Sequence, residues 1–242
     1  MTASWLNHVE AQVTQLTDAL NRTIVGQAPA VSALGDAFFQ AHLAGNGGPH
    51  VVTLLGPRGV GKTALARVFA HTADALSGAG KGVRWINHGA PSIAEQLLAA
   101  TSAGMTSFVI DTVEDLSAAA HAELATYLAN QSLWADRAGA VSHARWIVLT
   151  SNLGEPLFAD AANAAILAGA MPSGAVVIDA LSAPKREFRV QGTAGLHAGL
   201  AEQLVAGAVV ALGPLEVGHY VDLVQRVMAT PISGDKAHAE ID

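Results

Sequence analysis

The spacing of apolar positions changes along the chain, and each change marks a new element. Trp5, Leu6, Val9, Val13, Leu16 and Leu20 recur at helical spacing and predict an amphipathic first helix ending before Asn21-Arg22-Thr23. A second helix is expected from about Pro29 to Leu43, with proline in its first turn and the glycine-rich turn Gly45-Asn46-Gly47-Gly48 behind it. His50 to Leu55 is then a short apolar run bounded by turn signals, the pattern of a strand buried on both faces. From there the pattern alternates: helix Lys62–Leu76, strand Val83–Asn87, helix Ser92–Ala100, strand Ser107–Asp111, helix Ser117–Leu128 and strand Arg145–Thr150. Ala175–Asp179 and Glu187–Gln191, joined through Ser182-Ala-Pro-Lys185, are expected to form a hairpin inserted over residues 175–191. Ala208–Leu212 reads as the last core strand, Val217–Met228 as the last helix, and residues 231–242 as a polar tail. Strands separated by helices predict a parallel sheet covered on both faces, a three-layer α/β domain over residues 1–230 with no internal repeat.

The turn after the first strand carries the strongest chemical signal. Gly56-Pro57-Arg58-Gly59-Val60-Gly61-Lys62-Thr63 fits the pattern G-x-x-x-x-G-K-[ST] and lies between a strand and a helix, the context that makes it a phosphate-binding P-loop. Its glycines let the backbone wrap a phosphate closely, with the N–H groups and the following helix N-terminus around the oxygens. Lys62 would neutralise the β- and γ-phosphates and Thr63 would offer a hydroxyl to Mg²⁺. A second element is required, a buried strand ending in an acid. Phe108-Val-Ile-Asp111 supplies it, and Asp111 would hold Mg²⁺, although an aspartate in that place also serves as a helix cap. The fold class expected is therefore a P-loop NTPase using ATP and Mg²⁺.

Composition narrows the partners. Formal net charge is −7 and the 13 basic residues form no cluster, which argues against nucleic acid. With no cysteine, disulfides, thiolate metal sites and cysteine nucleophiles are excluded. Met1 to His8 has neither a basic segment nor a continuous apolar one, and the most apolar run, Leu204–Leu215, is too short to span a bilayer and contains Gly207, Gly213 and Pro214. No membrane association is expected, and a cytoplasmic location follows by default. Hydrophobic residues make up 51% with only 5% aromatic, an apolar surplus that fits a surface buried against another subunit or a protein partner.

Ile24-Val25-Gly26-Gln27, Gly56–Thr63, Asp111-Thr-Val-Glu-Asp115, Leu128-Ala-Asn-Gln-Ser-Leu133 and Thr150-Ser-Asn-Leu-Gly154 occur in the order and spacing of a known family. Over roughly residues 15 to 228 the chain resembles the AAA+ ATPases, and among them the second ATPase module of Clp-type chaperones. The resemblance implies the AAA+ large subdomain, with Ile24 and Val25 beside the adenine and the loop from Gly56 to Ala64 around the phosphates. It also implies that Asn152 is the sensor-1 residue, which positions the attacking water. Several family features are missing. Thr112 stands where the family has its water-polarising glutamate, and Glu114, two positions on, reads as a helix-terminus acid. Gly89-Ala-Pro91 runs straight into Ser92-Ile-Ala-Glu-Gln, so the aromatic pore loop that follows such a segment is deleted. Leu200 to Gly207 holds no arginine finger, Arg186 and Arg189 being the nearest basic residues, and the helical lid is absent or truncated. Three readings result: a slow ATPase coupled to assembly or to a partner, a hydrolysis-dead ATP-binding scaffold, and a non-AAA+ P-loop enzyme such as a kinase, against which Ile24–Gln27 and Asn152 speak.

Overall fold

The computed structural model describes residues 3–44, 49–77, 82–89, 92–130, 145–153, 174–182 and 195–229. Helices α1 (Ala3–Thr23) and α2 (Ala28–Ala44) precede β1 (Pro49–Leu55), α3 (Lys62–Leu76), β2 (Val83–Trp85), α4 (Ile93–Ser102) and β3 (Ser107–Ile110). A 3-10 turn at Val113–Asp115 leads to α5 (Ala118–Ala129), followed by β4 (Arg145–Ser151), α6 (Gly174–Ser182), α7 (Ala198–Ala206), β5 (Ala208–Ala211) and α8 (Val217–Ala229). All pairings are parallel, in the order β2-β3-β4-β1-β5.

Successive residues of a strand face opposite sides, so each central strand feeds two cores. Trp146 and Val148 of β4 pack with Val52 and Leu54 of β1 against α1, α2 and α3, while Ile147 and Leu149 pack with Leu55 against α4, α5, α6 and α7. This is the three-layer α/β P-loop NTPase fold that the alternation predicts. Trp146 anchors the first core. Its ring stacks on Phe38 at 5.6 Å and 5° and meets Phe69 edge-on at 5.0 Å. Full burial of each such ring stabilises the fold by roughly 1.5–3 kcal/mol.

Local chemistry sets several boundaries. Ser92 caps α4 reciprocally with Glu95, and the Ser117 hydroxyl accepts from Ala120 N at 3.1 Å to start α5. At the far end of α3, buried Asp74 accepts from Thr106 Oγ1 at 2.5 Å and from Gly82 N at 3.1 Å. Those two bonds tie the helix to the entrances of β2 and β3, which fixes where its N-terminus, at the other end, must stand.

Two expectations are overturned: α1 runs on through Asn21 and Arg22 to Thr23 rather than ending before them, and Ala175–Asp179 is no strand but the first part of α6. Val176-Val177-Ile178 has high strand propensity, yet burial follows Val177, Ala180 and Leu181, a helical spacing, and leaves Ala175 and Asp179 exposed. Without its first strand the hairpin over 175–191 is not formed as expected; Glu187–Gln191 lies outside the described residues, as do the 231–242 tail, Arg186 and Arg189. No helix among the described residues is long and apolar enough to cross a membrane.

Candidate functional site

Ligand sites of parallel α/β sheets form at the carboxyl ends of the strands. Here β1, β3 and β4 end side by side, and each delivers a segment singled out by the sequence. The loop after β1 turns through Gly59 and Gly61, at φ +83° and +97°, where a Cβ would meet no atom within 4 Å. Both positions need the left-handed freedom of glycine, and both leave open space in front of the loop. Gly61 is also the N-cap of α3. The first-turn N–H groups of that helix face whatever the loop encloses. Gly56 is close-packed instead, since a Cβ there would lie 2.5 Å from Leu212 O.

Lys62 is buried, and its Nζ donates to Gly56 O at 2.8 Å and Pro57 O at 2.6 Å, so the ammonium lies against the loop itself. Thr63 Oγ1 donates to both carboxylate oxygens of Asp111, at 3.0 and 3.2 Å. This pair joins the first turn of α3 to the end of β3, and it offers a hydroxyl and a carboxylate to one small cation. No group of three or more His, Cys, Asp or Glu side chains that could hold a metal occurs among the described residues. Magnesium characteristically takes one or two protein ligands together with phosphate and water oxygens, so the pair fits Mg²⁺ bound with a nucleotide rather than alone. Bound there, Mg-ATP would supply an activated terminal phosphoryl group. Arg58, Gly59, Thr63 and Ala64 are exposed, Pro57 is half-buried, and Val60 turns inward into the core beneath α1–α3.

Ile24 and Val25 lie in the short link between α1 and α2. Gln27, which follows them, is 4% exposed and donates through Nε2 to Gly213 O at 2.9 Å and Val60 O at 3.4 Å. The Ile24–Gln27 segment is thereby fastened both to the phosphate loop and to the turn before α8. Gly26 closes against α8 as well: its φ is +72°, and a Cβ there would lie 2.6 Å from the His219 ring.

The turn after Asp111 is held from all sides. His88 Nε2 donates to Asp111 O at 2.6 Å, and His121 Nε2 donates to Val113 O at 2.8 Å. Thr112 N donates to Thr150 Oγ1 at 2.8 Å, which in turn donates to Asp111 Oδ1 at 2.5 Å. Thr112 itself has φ +56°, the one non-glycine positive φ among the described residues and an unfavourable place for a β-branched side chain. Glu114 does not cap a helix. It is buried in the 3-10 turn, with Oε1 accepting from Asn152 N at 2.7 Å, and Ser117 does the capping. Phosphate loop, terminal acid and Asn152 thus lie at the carboxyl ends of three adjacent strands.

Residues 52–157 match the AAA family model. Its full description is "ATPase family associated with various cellular activities", and the matched stretch runs from β1 to just beyond Asn152. The match supports an ATPase-type nucleotide-binding module over that stretch. No curated protein matches the chain. Among solved structures, a similar chain belongs to the "Closed State CryoEM Reconstruction of Hsp104:ATPyS and FITC casein", with 15% identity and a TM-score of 0.45. That alignment covers 90% of this chain and 38% of the other, so this chain spans well under half of its length.

Sequence reasoning placed Gln27 and Thr150 within family-like segments without giving either a role, and it missed His88 and the bond between Glu114 and Asn152. Thr150 and His88 follow from one available signal: each lies where a strand of the parallel sheet comes to its carboxyl end.

Proposed function

We propose that the chain is an ATP-binding AAA+ module of Clp-like type in which nucleotide binding is retained and hydrolysis is slow. The observation that carries this is Thr112. The loop, Lys62, Thr63 and Asp111 provide every element a Mg-nucleotide needs, but the residue after Asp111 is a threonine, which accepts no proton at neutral pH. Ile24 and Val25 would flank the adenine, the loop from Gly56 to Ala64 the phosphates, and Asn152 the terminal phosphate or the water near it. Asn152 fits that role because its backbone is bonded to the turn that follows Asp111.

Coupling to assembly or to a protein partner is supported by α8. Val217, Tyr220, Val221, Val224 and Met228 are half to four-fifths exposed on this helix, whose start packs on Gly26. A nucleotide beside Ile24 and Val25 would touch the segment on which α8 rests. The whole unit over residues 1–230 would then work as one domain, in a cytoplasmic setting.

Titrations with Mg-ATP and Mg-ADP, paired with steady-state phosphate release, test the reading. We expect binding that Lys62→Ala abolishes, together with a low basal turnover. Thr112→Glu should raise turnover by up to roughly 10²–10⁴-fold, the range of general-base catalysis, with little change in affinity. Brisk hydrolysis by the parent would refute the assignment of Thr112. Binding with no turnover in either form would favour the ATP-binding scaffold.

A further inference from the structure

The backbone ladder between β3 and β4 ends at the pair Ile110 and Leu149. Beyond it the two chains stay together through side chains: Thr150 bridges Thr112 N and the Asp111 carboxylate, and Glu114 takes the N–H of Asn152 at 2.7 Å. Glu114 is only 6% exposed, and its second oxygen, Oε2, is buried without a hydrogen-bond partner. A buried carboxylate with one oxygen unpaired is a costly way to hold a strand end, since a neutral side chain would avoid the desolvation. The 3-10 turn that carries it is itself held by hydrogen bonds. Asp115 N donates to Thr112 O at 2.9 Å, and the buried His121 ring holds Val113 O. Glu114 is therefore a fixed point, referenced to α5, from which the end of β4 is set.

We propose that Glu114 is a positioning residue for Asn152: its carboxylate fixes the β4 terminus relative to the Thr63–Asp111 pair and so sets how strongly a nucleoside triphosphate is preferred over the diphosphate. The proposal rests on the nucleotide-binding reading above. Only a ligand reaching past the Thr63–Asp111 pair toward β4 senses where Asn152 stands, and the additional phosphoryl group of a triphosphate is the part that extends farthest.

The test measures dissociation constants of Mg-ATPγS and Mg-ADP, with melting curves, for the parent, Glu114→Ala, Glu114→Asp and Glu114→Gln. Glu114→Ala removes the acceptor. Glu114→Asp withdraws it by one methylene while keeping the charge. Glu114→Gln keeps an oxygen for Asn152 N. Alanine and aspartate should lower the ATPγS-over-ADP preference by roughly tenfold, as for loss of one hydrogen bond to a charged group, with ADP affinity unchanged. Glutamine should retain most of the preference. A purely structural role would instead lower melting temperature and both affinities together, and that outcome overturns the proposal. So would an unchanged preference in the alanine and aspartate variants, or a glutamine variant as impaired as alanine. A parent that binds neither nucleotide fails at the first titration, and there the nucleotide-site reading itself falls.

Discussion

Thr112→Gly and Thr112→Ala both delete the hydroxyl and the β-branch, and differ from each other by one methyl group. At an ordinary backbone position alanine is the more stable of the two by about 0.5–1 kcal/mol, because glycine loses more freedom on folding. Position 112 has φ +56° and ψ 60°, in the left-handed region. An L-residue there pays roughly 1–2 kcal/mol that glycine does not. Subtracting the mid-range entropic term from the mid-range conformational one leaves glycine ahead by about 0.75 kcal/mol, so the usual order reverses. For a domain of this size that corresponds to about 1–4 °C in melting temperature. Thermal melts of the two variants without nucleotide, checked by urea midpoints, measure the difference directly. A Thr112→Ala protein that melts above Thr112→Gly would refute a left-handed residue 112, and with it the geometry that follows Asp111.

Further outcomes can be checked independently. Saturating Mg-ATP or Mg-ADP should raise the parent's melting temperature by mass action, and Lys62→Ala should remove most of that gain; a parent insensitive to nucleotide in a thermal-shift assay would contradict the loop assignment. Gln27→Ala leaves the Gly213 carbonyl without its buried donor, so it should cost about 1–3 kcal/mol in chemical denaturation and also weaken nucleotide binding; an unchanged midpoint would show that the fastening is unimportant. His50 is held below its usual value of 6.5 by burial and by the neighbouring His42. The unfolded chain therefore takes up this proton first as the pH falls, so the His50 contribution is complete above about pH 6.5 and declines below it. Melts across this range should show that decline, and an identical slope in His50→Gln would exclude His50 as its source. Isolated protein with ATP should not unfold a fluorescent substrate, because residues 92–107 contain no aromatic side chain to grip one; ATP-dependent loss of fluorescence would overturn this.

Local signals were readable from the chain, and long-range ones were not. The phosphate loop is a contiguous pattern whose chemistry is its own backbone, and α3 begins and ends at Lys62 and Leu76, where periodicity places it. Asp111 was legible because a buried strand ending in an acid is a local event too. Glu114 was misread: the donor it serves, Asn152 N, is 38 residues away on the neighbouring strand, and nothing near it in sequence distinguishes it from an acid at a helix start. The same holds for Gln27, whose partner Gly213 is 186 residues distant. At Ala175–Asp179 intrinsic propensity pointed to a strand, but packing against α7 and the sheet selected a helix. Thr112 carries no sequence signal of its left-handed turn, because that conformation is imposed by the four anchors around it.

Adjacent strands lie about 4.8 Å apart, and β4 stands between β1 and β3, so the strand that launches the phosphate loop is roughly 10 Å from the one that ends in Asp111. The acid can meet the loop only because Thr63 rides on a helix that passes over the intervening strand. Residue 150, at the end of that strand, then acts as a shim. Its hydroxyl sits 2.5 Å from Asp111 Oδ1 and sets the height of the carboxylate beneath Thr63. A valine there keeps the volume but releases the carboxylate, and a serine keeps the bond but loosens the fit. The grip on a cation can therefore be retuned from β4 without changing either of the side chains that would hold it.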